Sequence, residues 1–328
     1  MRCLSILILS ILVPASSPAQ AFDCTKASTE TEKLICSDSG LKRADDDLGR
    51  AWRKARDLLG EAEFKKLRQN QRAWLKTRDA RCGYGSDAER VDCLLQQTTR
   101  RTLIIAAKPK TGPGSDAAMV PFARIQAGSK TAYEVEIAGV RFAAPAGAGE
   151  VSFNKQVDDL VKQAPFTEKI DFETAGQLSY NQSITLEYAA PNLVSALVQT
   201  WRYDGGAHGN SFFSAINVSP QTGVLTYDKL FSPEAKTELA DACENWLFGY
   251  DTDEALSKVQ LKQMFFPEYE KTILTAAGNL SSWTFNTDGA RVQFSPYELA
   301  PYAAGSFECR LPLSLLREVS KAGQHLPK

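Results

Sequence analysis

Lys108-Pro109-Lys110-Thr111-Gly112-Pro113-Gly114-Ser115 divides the sequence into two halves with different periodicities. The octet is rich in proline and glycine and lacks any apolar period, so it reads as the start of a linker over residues 108–129. Upstream, over 22–107, helix signals are almost continuous. Thr29 and Glu32 have capping-box spacing ahead of Leu34 and Ile35. Leu41, Ala44, Leu48, Trp52, Ala55 and Leu59 then recur at steps of three and four, one apolar stripe on a helix that Gly60 ends. A third helix is expected from about Glu61 to Arg81. Gly83-Tyr84-Gly85 turns the chain into a fourth, carrying Val91, Leu94, Leu95, Leu103 and Ile104. Trp74 and Arg78 lie one turn apart, which reads as a core tryptophan under an arginine stem.

Downstream the period changes. Tyr133, Val135 and Ile137 alternate with polar residues, as do Ile184, Leu186 and Tyr188, the pattern of half-buried strands. Val194–Trp201 is more continuously apolar and suits a central strand. Phe212–Val218, the turn Ser219–Gly223 and Val224–Tyr227 read as a hairpin. Helices are expected near Phe153–Val161, Pro233–Phe248 and Leu256–Ala277. The end returns to strands at Trp283–Phe285, Ala290–Phe294 and Ser306–Leu311, with a short helix from Leu313. Strands and helices come in blocks, so the class is α+β: a small all-α domain, then an α+β domain over 130–328 with a mainly antiparallel sheet.

The first 21 residues stand apart from this fold. Arg2 precedes the apolar run Leu4–Val13, Pro14 breaks it, and Ala19-Gln20-Ala21 has the small-x-small form of a signal-peptidase site. A membrane span needs about 20 apolar residues, twice this run. Cys3 precedes the apolar stretch instead of following it, which argues against a lipoprotein. The expectation is a soluble periplasmic or secreted protein, cleaved after Ala21. Removal of Cys3 leaves six cysteines, and an even number in an oxidising compartment predicts disulfides. Spacing makes Cys24–Cys36 and Cys82–Cys93 local couples and leaves Cys243–Cys309. None of the six forms a C-x-x-C knuckle and neither histidine lies near one, so zinc is not expected.

The 328 residues are 43% hydrophobic and 23% charged, which excludes disorder, collagen-like repetition and a multi-span membrane protein. A formal net charge of −1 argues against a nucleic-acid partner. Charge nevertheless separates at the boundary. Residues 22–108 carry 19 basic and 14 acidic side chains, a net +5, whereas residues 109–328 carry 18 and 25, a net −7. An acidic domain steers towards a basic partner, although uneven charge also serves solubility alone.

The most unusual stretch is Tyr203-Asp204-Gly205-Gly206-Ala207-His208-Gly209-Asn210, joining two expected strands. Its glycines permit close backbone approach, and it presents the only internal histidine beside Asp204 and Asn210. Three readings stand: a recognition loop, a tight structural turn capped by His208, or a hydrolase site in which Asp204 partners His208. A metal would need three or more ligands, and no second histidine is near. No phosphate-cradling glycine loop and no nucleophile–base couple occurs, so neither cofactor nor catalytic residue is assigned.

Asp23-Cys24-Thr25-Lys26-Ala27, Glu32-Lys33-Leu34-Ile35-Cys36, Gln71-x-x-Trp74-x-x-x-Arg78, Cys82 and Cys93 make residues 23–104 resemble the LprI-type domain of bacterial lysozyme inhibitors. Residues from about 130 to 318 resemble the extracytoplasmic domain of RsiV-type anti-sigma factors, through Gly205-Gly206-Ala207-His208-Gly209-Asn210 and Tyr297-Glu298-Leu299-Ala300-Pro301-Tyr302-Ala303-Ala304-Gly305. Both families include lysozyme-binding members. The resemblance therefore implies a non-enzymatic envelope protein whose partner is lysozyme or a related muramidase, blocked by occlusion of its glycan cleft. It lacks the transmembrane and cytoplasmic segments of the anti-sigma factors, so their signalling does not transfer. Contact candidates are Tyr203, Asp204, Gly205, Gly206, His208, Asn210, Tyr297 and Tyr302. The alternative is a peptidoglycan-binding module in which Tyr203, Tyr297 and Tyr302 stack on sugar rings.

Overall fold

The computed structural model describes residues 23–126, 133–166, 178–249, 258–321 and 325–328. The expected signal peptide, residues 1–21, lies outside the described residues. So do residues 127–129 of the expected linker and the start of the expected 256–277 helix.

Local capping sets the helices of the first half. Glu32 N donates to Thr29 Oγ1 at 3.2 Å and Thr29 N donates to Glu32 Oε2 at 2.9 Å, which starts α1 (Glu30–Ser37). Asp38 caps α2 (Ser39–Leu58) by accepting from Leu41 N at 2.7 Å. α3 (Glu61–Arg81) follows, and Ser86 with Glu89 repeats the reciprocal cap for α4 (Asp87–Ala106). The apolar stripe on α2 buries Leu48, Ala51 and Ala55 against Leu67 and Ile105, while Ile35, Leu41 and Leu94 form a second, smaller cluster. Disulfides Cys24–Cys36 and Cys82–Cys93 close this unit.

Six strands then form one sheet in sequence order: β1 (Met119–Gln126), β2 (Tyr133–Phe142), β3 (Leu178–Ala190), β4 (Leu193–Tyr203), β5 (Asn210–Ser219) and β6 (Gly223–Val224). Every pair is antiparallel except β2 with β3. α5 (Ala148–Gln163) covers one face, placing Phe153 and Val157 among Val135, Ile137, Ile184, Val198 and Ile216. Asn154 fixes it there, exchanging two 2.9 Å hydrogen bonds with the backbone of Phe142.

The remaining elements are α6 (Tyr227–Leu230), α7 (Ala235–Gly249), α8 (Lys258–Met264), α9 (Tyr269–Ala277) and the antiparallel sheet β7 (Trp283–Asn286), β8 (Gly289–Phe294) and β9 (Phe307–Pro312), followed by α10 (Leu313–Val319). They share one core around Leu239, Phe231, Trp283, Phe285, Phe294 and Leu311, crossed by the disulfide Cys243–Cys309. Buried polar side chains join the two sheets: Phe285 N donates to Ser195 Oγ at 2.9 Å, and Asn217 Nδ2 donates to the carbonyls of Leu280 and Trp283, each at 2.8 Å. The protein is α+β, with a disulfide-bonded helical region ahead of the sheet.

Three expectations need correction. The stretch 108–129 is not a linker throughout, because Met119–Gln126 is the edge strand β1, where Pro121 is tolerated. Ala123 on that strand belongs to the helical core, alongside Leu48 and Leu67. The octet itself is strapped to β3. Lys110 N donates to Leu186 O at 3.0 Å, Thr111 N to Glu187 O at 3.1 Å, Ala189 N to Thr111 O at 3.3 Å and Gly114 N to Ala189 O at 2.9 Å. Pairing of β2 with β3 ends at Ala138 and Ser183, which leaves that length of β3 for the strap. Gly112 is required there, with φ of +90° and no room for a Cβ, which would lie 2.5 Å from Ala189 O. Second, Val224–Tyr227 is not a strand: β6 stops at Val224, and Tyr227, Leu230 and Phe231 bury one helical turn in the C-terminal core. Third, the helix expected to Ala277 breaks at Pro267 between α8 and α9.

Candidate functional site

The loop between β4 and β5 is closed from within. Gly205 and Gly206 take φ of +91° and +92°, and Tyr203 OH donates to Gly206 O at 2.9 Å. Asp204 anchors the base of the loop. Its carboxylate accepts from Arg202 Nε at 2.7 and 2.9 Å and from the hydroxyl of Tyr133, while Arg202 Nη2 donates to the same Tyr133 oxygen at 3.1 Å. Burial works to raise the Asp204 carboxyl, but the hydrogen bonds from Tyr133 and Arg202 outweigh it and hold the group below its ordinary value. Asn210 turns inward on the chain, its Oδ1 accepting from Ser211 N at 2.9 Å where β5 begins.

His208 projects from the tip and is exposed. Its ring stacks on Tyr302 with centroids 3.7 Å apart and planes 15° from parallel. Nδ1 lies 2.9 Å from Gly209 O. Tyr302 comes from the loop after β8, which packs Leu299 and Ala300 into the C-terminal core and is tied to β5 by Phe213 N donating to Ser295 Oγ at 3.1 Å. Tyr297 stands beside Tyr302, ring centroids 5.6 Å apart, with half of its surface exposed and φ of +73°. The two loops therefore meet as one aromatic ledge, Tyr297–Tyr302–His208.

The candidates separate into two groups. His208, Tyr297 and Tyr302 come together at the surface, whereas Tyr203, Asp204, Gly205, Gly206 and Asn210 shape or anchor the loop beneath. Asp204 spends its oxygens on Arg202 and Tyr133, so an Asp204–His208 couple is not what the geometry assembles. Among the described residues, no group of three His, Cys, Asp or Glu could hold a metal ion. Arg202 and Tyr133 are the residues that sequence reasoning missed. Their pairing joins strands far apart in the chain, and neither carries a local motif.

Fold and loops define a disulfide-bonded α+β protein with a helical unit on one flank and an aromatic ledge built by two distant loops. Residues 24–103 match the family described as lysozyme inhibitor LprI, and residues 228–314 match a family described as a protein of unknown function, DUF3298. The chain thus carries an LprI domain at its N-terminal end and a DUF3298 domain towards its C-terminal end. No curated protein matches it significantly. Similar solved structures include a DUF3298 family member from Bacteroides fragilis, 15% identical, covering 63% of this chain and 95% of its own with a TM-score of 0.45. Another is a DUF3298 family protein from Pseudomonas aeruginosa, 17% identical, covering 65% of this chain and 98% of its own with a TM-score of 0.43.

Proposed function

We propose that this is an exported, non-enzymatic protein of the bacterial envelope that binds lysozyme or a related muramidase and occludes its glycan cleft. The observation that carries the reading is the match of residues 24–103 to a lysozyme-inhibitor family. Three further features support it. Disulfides in both halves suit an oxidising compartment. The net −7 of residues 109–328 steers a basic enzyme towards the sheet-bearing half. The ledge of His208, Tyr297 and Tyr302 offers rigid aromatic surface of the kind that anchors protein interfaces.

In this mechanism the ledge enters the enzyme's cleft as a rigid wedge, with the Asp204–Arg202–Tyr133 cluster holding the loop upright. Adding the purified protein to a lysozyme turbidity assay tests it. Dose-dependent inhibition with a stoichiometric complex on size exclusion is expected. Neither effect at about 10 μM, well above the affinity of ordinary specific complexes, defeats the proposal. Retention on purified sacculi without lysozyme would instead favour the glycan-binding alternative.

A further inference from the structure

The strongest unexplained feature lies between the helical unit and the sheet. Strand register puts Glu136 beside Asn181, Asn181 opposite Trp201, and Trp201 opposite Ser211, and these side chains line one face. α3 and α4 lie over that face and leave a cleft of about 140 Å³. The helices bring four arginines to it, Arg78, Arg81, Arg100 and Arg101, against a single lining carboxylate, Glu136.

The charges do not balance within the cleft. Arg78 is answered by Asp79 at 2.9 Å, and Asp45 also acts on it. Arg101 is only 3% exposed, yet its hydrogen bonds go to neutral amides: Nε to Gln71 Oε1 and Nη2 to Asn70 Oδ1, each at 2.7 Å. Arg100 Nη2 donates to the hydroxyl of Ser183 at 3.1 Å, and its buried Nε has no partner. Glu187 attracts Arg100 from a distance but pairs with Lys110 at 2.9 Å. Arg101 is stripped of water and Arg100 partly so, its Nε wholly buried, and neither guanidinium has a carboxylate in contact. Buried charges are ordinarily paired, and a guanidinium fork matches a carboxylate in two parallel bonds.

We propose that this cleft binds a small organic carboxylate, held between Arg100 and Arg101 with its carbon frame towards Trp201. Burial drives the Glu136 carboxyl up to about 7, ahead of the attraction of Arg101 that lowers it and the repulsion of Glu134 that raises it further. Glu136 thus counters the arginines only partly at neutral pH and competes weakly with the incoming anion. The volume of about 140 Å³ suits a small ligand, since pockets for drug-sized ones usually exceed about 300 Å³. A sugar acid and a peptide C-terminus share the required chemistry. The site is independent of the aromatic ledge and of lysozyme.

The test is calorimetry and tryptophan fluorescence on the full mature chain with paired probes: glucuronate against glucose, and N-acetyl-alanine against its amide, with inorganic phosphate as a third arm. Saturable binding of at least one acid, and of neither neutral partner, is expected, and the better acid identifies the source. Arg100→Gln should weaken that acid by about tenfold, as loss of a charged hydrogen bond does. Glu136→Gln should tighten it by severalfold, a gain that misfolding cannot mimic. No response to either acid at about 10 mM, equal binding of acids and neutrals, or tighter binding of phosphate overturns the proposal.

Discussion

The two flanks of the molecule meet the same packing problem on different scales. The helical unit buries two small clusters and closes them with bridges spanning 12 and 11 residues. The C-terminal unit gathers a single large core from helices, the strands β7–β9 and the adjoining ends of β3 and β4, with one bridge spanning 66 residues. A unit with little apolar volume leans on cross-links and on whatever surface adjoins it. Here that surface is β1, whose Ala123 completes the helical core. The lesson is that the smaller flank is not self-sufficient: its folding is coupled to the sheet, and calorimetry of the whole chain should show one cooperative transition.

The largest test of this contrast is the long bridge. Cys243→Ser with Cys309→Ser should cost about 4 kcal/mol in the loop-entropy account, read from urea unfolding. Cys82→Ser with Cys93→Ser opens a shorter loop and should cost about 3 kcal/mol. Its loss of hydrogen-exchange protection should be greatest in α3, α4 and β1. Protection lost equally across β7–β9 would contradict the division. Next comes Gly112→Ala, which pits a Cβ against Ala189 O at a positive φ and should cost about 2 kcal/mol, with the strap's amides exchanging faster. If it leaves stability unchanged, the strap does not couple the flanks.

The smallest effect is a pH dependence at their junction. Folding raises the Glu136 carboxyl from 4.5 to about 7, so the folded chain keeps a proton that the unfolded chain releases. This group therefore subtracts stability progressively as pH rises from about 4.5 to about 7. Glu136→Gln should flatten that slope, gaining about 1 kcal/mol at pH 7.5 relative to pH 5 after allowance for solvent screening, measured by thermal melts.

Much of the secondary structure was legible because it is local. The stripe from Leu41 to Leu59 and the Thr29–Glu32 cap decide helices within a few turns of chain, and the alternation at Tyr133–Ile137 decides a strand. β1 was hidden because Pro121 and the preceding Gly/Pro octet carry the signals of irregular chain, which an edge strand tolerates. Val224–Tyr227 reads as a strand because β-branched and aromatic residues dominate it, whereas the strand ends at Val224 and Tyr227 opens a helical turn that buries it in the C-terminal core. At the site, the glycine-rich loop and the Tyr297–Gly305 stretch are conspicuous one by one. Their meeting through His208 and Tyr302 is a tertiary fact with no sequence signature. The same holds for Arg100 and Arg101, which carry no motif of their own and gain meaning only from the sheet beneath them.

The backbone between Lys108 and Ser115, stitched along β3 by four hydrogen bonds, bears on how such a chain withstands proteolysis. A protease that nicked this passage would find no tether to sever, since α3 and α4 would still rest on the sheet and β1 would remain in register. The cut molecule would migrate as two fragments on a denaturing gel and as one particle in a native one.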